Sequence, residues 1–590
     1  MKKYLLLIML MLTGECALWA DVATDGSLGS QTTISGPTYS ITEDYGERRG
    51  ENLYHSFSTF NIGAGETADF SADSETANII SRVTGGDPSR IDGTLQCNIP
   101  GADLWLLNPS GLIFGQNASL NINGSFFAST CDYLSMGDGE LFYTDLNEDS
   151  VLSYESPAAF GFLKDTNADI IFEGRGTGDT GLKVPTEEDI FICGGNISVS
   201  GSSDSTGTLN PNFSAPSGRV ILNAVQNEAE VNIEERYITN DITGTIELKE
   251  NALINTDGEY EGEVFIRAGK FYMNDSTISA GGPEFDVGSE LGFFDGSVII
   301  EATDIRIENN SLIESVAKGE KNAGFIVVQD CKNFVMTGGS RLSTSTDATG
   351  SAGAISIYAE NINIDSSVIT TSSTGIGNAG AIELNSNQTT INNSTISSSR
   401  NYNDSDGFAG TIFINAEKSL TIKDNCEIKT ESTYAGGGII GLYSKTLVIS
   451  SSRISTEVKS GFNKGGNIDI FSELLLLNKA SLIAKAYIGD GGDIYISAAN
   501  MIKSGDSTIN ASSQFGFNGY VEVDAPASEL PSGFSVFNAA LPDPEQWAVT
   551  PCSARSGEDV SSFFITTGQL VKKDYGKWFR NHLFLQHNEN

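Results

Sequence analysis

Glycine opens a recurring unit in the second half of the sequence, and that recurrence restricts the fold more than any other feature. Gly353 leads into Ala354-Ile355-Ser356-Ile357-Tyr358, then Asn361-Ile362-Asn363-Ile364, then Ser367-Val368-Ile369-Thr370. Gly380 leads into Ala381-Ile382-Glu383-Leu384-Asn385, Thr390-Ile391 and Ser394-Thr395-Ile396-Ser397. Gly410 does the same with Thr411-Ile412-Phe413-Ile414-Asn415, Leu420-Thr421-Ile422 and Cys426-Glu427-Ile428-Lys429. The frame also opens at Gly262, Gly296, Gly324, Gly438, Gly466, Gly492 and Gly519, so that nine intervals span 257 residues, about 29 each. A propeller blade needs about four strands in 40 to 50 residues; three strands in a shorter unit form one rung of a solenoid. The reading is an all-β, right-handed parallel β-helix, since crossovers between parallel strands are overwhelmingly right-handed. Alternation puts Ile355 and Ile357, Ile382 and Leu384, and Ile412 and Ile414 inside, with Ser, Asn and Thr mostly outside. By the same count Phe413 is a single exposed aromatic. Neighbouring strands lie about 4.8 Å apart, so ten rungs give a section on the order of 50 Å. Composition agrees: glycine is abundant at 64 residues, and charged residues make up only 19%, below the roughly 25% usual for soluble domains.

The chain begins as an exported protein does. Met1-Lys2-Lys3 and an apolar stretch over 4–12 precede Ala17-Leu18-Trp19-Ala20, which offers a small residue for cleavage before Asp21. Cys16 follows Glu15, which does not suit a lipoprotein signal. No later segment approaches the ~20 apolar residues of a membrane helix. The mature protein is expected outside the cytoplasm and not embedded in a bilayer.

The residues after the leader carry linked turn-and-strand motifs. Val83-Thr84-Gly85-Gly86-Asp87-Pro88-Ser89-Arg90-Ile91-Asp92-Gly93 and Asn108-Pro109-Ser110-Gly111 reverse the chain, because proline fixes φ and glycine accepts positive φ. Between them 104–107 is an apolar run long enough for one strand. Alone, an Asn-Pro-Ser-Gly turn fits any β-protein. Its setting is narrower: Asn52-Leu53-Tyr54-His55-Ser56-Phe57 comes before these turns, and Ala118 to Thr130 after them. In this order the motifs resemble the haemagglutination-activity (secretion) domain of two-partner secretion exoproteins of the TpsA type, the filamentous-haemagglutinin-like family. The resemblance continues through 156–163 and 190–197 and reaches roughly residue 255. Ser110 stands where Asn is common, and no second such turn is found upstream, which fits the shorter members.

Leader, resemblance and repeats together divide the chain into a signal peptide over 1–20, a secretion domain over 21–255, a repeat body over 256–525 and a C-terminal cap or tail over 526–590. The resemblance implies recognition in the periplasm by a TpsB-type outer-membrane β-barrel carrying POTRA domains, followed by export to the medium or the cell surface of a Gram-negative cell. Val83, Thr84, Gly85, Gly86, Arg90, Asn108, Pro109, Ser110 and Gly111 form the expected secretion motif. Asn108 and Pro109 are expected to matter for export rather than for stability. Adhesion, to a glycan or protein receptor, is the function implied. A carbohydrate-active β-helix enzyme, or a haemolysin-like or ligand-capturing exoprotein, is the alternative.

Charge and chemistry narrow this further. A net charge of −41 repels phosphate backbones, so nucleic-acid binding is not expected. Histidine occurs only at 55, 582 and 587, which leaves no basis for a His-built zinc or haem site, and no cofactor is expected. Carboxylates are scattered at turns without the Lys or Arg cluster a lyase needs, so the chain reads as a non-enzyme. Gly489-Asp490-Gly491-Gly492-Asp493 lacks the repetition of a calcium-binding nonapeptide. Six cysteines follow the leader. Cys97 and Cys131 are the only pair considered for a disulfide; Cys331 and Cys426, three rungs apart, are expected to be unbonded. The tail reads as a cap, with Lys572, Lys573, Lys577 and Arg580 a solvated basic finish.

Overall fold

A computed structural model describes residues 21–530, apart from 175–180, 203–210, 235–242, 261, 282–296, 318–321, 348 and 403–406. Ala20, Gly296, Cys552, the two C-terminal histidines and the basic tail lie outside the described residues. What is described consists of strands with a single short 3-10 turn, Glu43–Tyr45. It forms a parallel β-solenoid of about 16 turns.

In the repeat body each rung is a long strand followed by a short one, such as Ile355–Asp365 with Val368–Ser373. The first two of the three expected strands therefore run on as one. The reason lies in the spacing of inward residues. Ile355 and Ile357 are separated from Ile362 and Ile364 by an odd interval, which a flat strand would put on opposite faces. All four are buried nonetheless, so the strand bends between them without losing its pairing. Rungs stack in register: Ile326 pairs with Ile355, then Ile382, Ile412, Ile440, Ile468, Ile494 and Val521 follow in one column.

The repeat glycines have a definite steric cause. A Cβ on Gly353, Gly380, Gly410, Gly438, Gly466, Gly492 or Gly519 would lie 1.8–2.0 Å from the carbonyl oxygen of the glycine one rung below. Each backbone carbonyl occupies the space a side chain would need. The corner after each long strand is left-handed, with positive φ at Asn309, Ser366, Asn393, Asn425, Ser451 and Lys479. Asn tolerates this region best among non-glycine residues.

Serine and threonine are not confined to the outside, contrary to expectation. Thr344, Thr371, Ser398, Thr430 and Thr456 form a fully buried column in the short-strand sheet. Four of these hydroxyls donate to glycine-column carbonyls: Thr344 to Gly353 O at 2.6 Å, Thr371 and Ser398 to Gly380 O at 2.9 and 2.8 Å, and Thr456 to Gly466 O at 2.7 Å. These bonds satisfy the buried hydroxyls and tie two sides of the rung together. Phe413 is likewise corrected. It is half-buried, its ring lying over Gly441 of the next rung.

The same parallel sheet runs back to the N-terminus. Asn52–Phe60, Asn78–Val83, Asp103–Leu107, Phe126–Ser129, Ile190–Gly194, Arg219–Ala224 and Glu263–Asn274 are successive neighbours, so pairing is unbroken across residue 255. Val22–Thr24 and Gly46–Arg49 pair antiparallel with Asn52–Phe60 and cover its free edge. Over the outer face lies a four-stranded antiparallel sheet of Tyr133–Met136, Leu141–Tyr143, Pro157–Phe162 and Ala229–Asn232. Leu134, Phe142, Phe160 and Val231 from this sheet pack on Tyr54, Ile80, Trp105, Phe127 and Phe191 from the rungs. Buried on both faces, strand Asp103–Leu107 reads as a continuous apolar run. The acidic stretch 141–155 contributes one of these strands, with Phe142 fully buried. Phe213, which follows a Ser-, Gly- and Thr-rich stretch, is likewise fully buried.

The five described cysteines sit as free thiols. Cys97 faces the solenoid interior and Cys131 lies in the outer cluster. A sheet separates the two clusters, so the Cys97–Cys131 pairing considered from the sequence is not made. Cys331 and Cys426 are also free and buried.

Candidate functional site: stacked turns of the N-terminal rungs

The two motif turns lie directly on one another because the strands that feed them are neighbours. Asn78–Val83 and Asp103–Leu107 pair in parallel, Arg82 opposite Leu107. The residues that follow, Thr84-Gly85-Gly86 and Asn108-Pro109-Ser110-Gly111, therefore leave the sheet on the same side. Asn108 is fully buried between them. Its Nδ2 donates to Asp87 O and to Ser89 Oγ, both at 3.0 Å, and its Oδ1 accepts from Ser110 N at 2.9 Å. Ser89 N donates to Gly111 O at 3.1 Å. The lower turn thereby sets the shape of the upper one.

The glycines here are sterically required. A Cβ on Gly85 would lie 1.9 Å from Ser58 O, while Gly86 and Gly111 hold φ of +88° and +120°. Gly85, Gly86, Asp87 and Pro88 are exposed, and Pro109 and Ser110 half-exposed, so the crest of the stack faces outward. Arg90 stands apart from it. It makes two hydrogen bonds to Glu173, at 3.0 and 2.6 Å, on a strand face away from the turns. Asp21 is placed by its carbonyl, which accepts from Asn61 N at 2.9 Å.

Beneath the crest lies a polar network that sequence reading did not find. Thr84 Oγ1 donates to Asp25 Oδ2 at 2.8 Å, and Ser56 Oγ donates to the same oxygen at 2.5 Å. Burial pushes the Asp25 carboxyl up, but hydrogen bonds from Ser56, Ser27 and Thr84 outweigh it and hold it below the usual carboxylate range. Arg82 is buried beside it, donating to Ser56 Oγ at 2.8 Å, Ser27 Oγ at 3.2 Å, Ser150 Oγ at 3.1 Å and the carbonyl of Tyr143. Its guanidinium also lies over the Phe142 ring, 4.5 Å from the centroid. One side chain thus joins the turn after the N-terminal edge strand, the strand Asn52–Phe60 and the outer antiparallel sheet. A second buried line runs up the sheet. Asn52 donates to the carbonyls of Ser153 and Glu155, Asn78 donates to Asn52 Oδ1 at 2.9 Å, and Trp105 Nε1 donates to Asn78 Oδ1 at 3.1 Å. Neither line had a signal in the sequence, since each depends on partners 26 to 103 residues away.

His55, inside the first motif, is fully buried between Phe57 and Phe70. Among the described residues no group of three or more His, Cys, Asp or Glu is placed to hold a metal. The turn stack presents exposed backbone rather than an array of titrating groups.

Residues 20–267 match the family model of the TPS secretion domain. This segment is a TPS secretion domain. Over 362 residues, 59% of this chain, the protein is 23% identical to a heme/hemopexin-binding protein of Haemophilus influenzae. The chain covers 32% of that relative, and so spans about a third of its length. Among solved structures it is similar to the HMW1 secretion domain from Haemophilus influenzae, with 15% identity and a TM-score of 0.36 over 86% of this chain and 99% of that one. The motif turns, Arg82 and the antiparallel sheet all fall inside the TPS secretion domain.

Proposed function

We propose that the chain is a secreted exoprotein whose TPS secretion domain delivers it to a TpsB-type outer-membrane β-barrel with POTRA domains. The observation that carries this is the coincidence of the secretion-domain match over 20–267 with the stacked, outward-facing turns at 83–88 and 108–111. The secretion domain is recognised in the periplasm, and the chain is then threaded out unfolded. Outside, the covered first rung is a template on which later rungs stack one at a time, and their burial of apolar surface pulls the chain outward. Val83, Thr84, Gly85, Gly86, Arg90, Asn108, Pro109, Ser110 and Gly111 are the residues assigned to this step. The repeat body then acts at the cell surface or in the medium by binding rather than by turnover, as an adhesin.

A relative that binds heme or hemopexin favours a second reading, in which the body captures a ligand-carrying protein. Deleting the neighbouring transporter gene tests export. The chain is expected to disappear from the medium and accumulate in the periplasm; unchanged levels outside the cell would overturn the proposal.

A further inference from the structure

The outer face of the repeat body carries four aromatic rings around one carboxylate. Phe413, Gly441, Asp469 and Tyr495 are register partners in one column, and Asn415, Tyr443, Phe471 and Ser497 in the column beside it. Their flanking residues Ile412, Ile414, Ile440, Leu442, Ile468, Ile470, Ile494 and Ile496 fill the interior, so these side chains face outward. Tyr443 and Phe471 stack with centroids 5.3 Å apart and planes 6° apart, and Phe471 meets Tyr495 at 5.5 Å. The rings of Phe413 and Tyr443 close over Gly441, which has no side chain to hold them off. A Cβ there would lie 2.6 Å from the Phe413 ring and 2.7 Å from that of Tyr443.

Asp469 is half-buried in this frame and makes no hydrogen bond or ion pair with the described residues. Lys464, five residues earlier in the same rung, is held by Asp493 at 2.6 Å. Burial, and then the charge of Asp493, push the Asp469 carboxyl up. An unpaired carboxylate in an aromatic setting is costly. A positive group placed there would meet the carboxylate and the negative faces of the rings together. A neutral sugar could stack on the rings but would leave the charge unpaired. Three rungs at about 4.8 Å each make a strip long enough for several residues of extended chain at about 3.3 Å each.

We propose that this strip docks a lysine- or arginine-bearing segment of a partner protein, its cation set against Asp469 and its stem along Phe471 and Tyr443. The net charge of −41 steers such a segment inward from a distance. The proposal does not rest on the route of export, because purified protein tests it.

The test is fluorescence anisotropy of a labelled hexa-arginine peptide on the full secreted chain, with circular dichroism to confirm that each variant is folded. Asp469→Asn and Phe471→Ala are each expected to weaken binding about tenfold, and Phe471→Tyr to stay within about twofold of wild type. Glu360→Gln, an exposed carboxylate elsewhere on the body, should change nothing. Three results would overturn the proposal: no binding by the wild type, equal loss from Glu360→Gln and Asp469→Asn, or displacement of the peptide by a neutral maltohexaose that binds Asp469→Asn equally well. The second would mean diffuse charge, the third a sugar platform.

Discussion

The amide of Asn108 reaches the hydroxyl of Ser89 at 3.0 Å across nineteen residues of chain. It thereby fastens one motif turn to the next. A side chain so buried and so bonded stabilises the fold, which corrects the expectation that it serves export alone.

Asn108→Ala is accordingly expected to act twice. It strands the Asp87 carbonyl and the Ser89 hydroxyl, at a cost of roughly 2–4 kcal/mol. It is also expected to cut the amount of protein in the medium about tenfold or more, if the assigned role in export holds. Urea titration of refolded protein reads the first effect and quantitative immunoblots of medium and periplasm read the second. A destabilised but normally exported variant would remove Asn108 from the export motif.

Gly410→Ala would put a methyl group 1.9 Å from Gly380 O and 2.3 Å from Ser398 Oγ. Gly380 O is backbone and cannot turn aside, so the rungs must separate. The expected loss is roughly 2–4 kcal/mol, against about 0.5 kcal/mol or less for Glu473→Gln on the exposed side of the body. Chemical denaturation followed by circular dichroism measures both.

Burial pushes the His55 imidazole down to about 4, with the Tyr45 backbone and Glu43 offsetting only part of the effect. Below its ordinary value near 6.5 the unfolded chain binds a proton that the folded chain refuses. The stabilising contribution is therefore complete above about pH 6.5 and is lost as pH falls toward 4, on the order of 3 kcal/mol in all. Asp103, raised to about 7 chiefly by burial, slopes the other way over much of that range. The informative quantity is thus the difference between wild type and His55→Leu, whose urea midpoints should draw together or cross as the medium is acidified. A constant difference between pH 7.5 and pH 4.5 would contradict the assignment.

Lys479 holds, with φ of 52°, the left-handed corner that Asn393, Asp424 and Ser451 hold in earlier rungs. Lys479→Asn is expected to stabilise the chain by roughly 0.5–1 kcal/mol and Lys479→Val to destabilise it by at least as much. A higher urea midpoint for the asparagine variant is the readout.

The rung was legible because its cause is local: an inward isoleucine every second residue and a glycine where two backbones touch. The bend within each long strand was less so, since Ile357 and Ile362 reveal it only through the parity of their spacing. Thr371 and Ser398 looked like surface residues because nothing in their own segments shows the Gly380 carbonyl that accepts from both. The outer sheet is assembled from residues near 135, 160 and 230, and no window of sequence contains it. The motif turns could be placed, but not the buried role of Asn108, nor the part of Arg82, whose four hydrogen-bonding partners come from three distant segments.

The glycine column also limits how such a chain can change in length. Because the carbonyl of one unit fills the notch in the next, the body is a stack of interchangeable courses, like masonry, and only whole courses can be added or removed. Excision of 27 residues from Gly353 to Ala379 would bring Gly380 onto Gly324 and restore every contact one step shorter. Loss of half that number would turn the isoleucine column outward for all that follows.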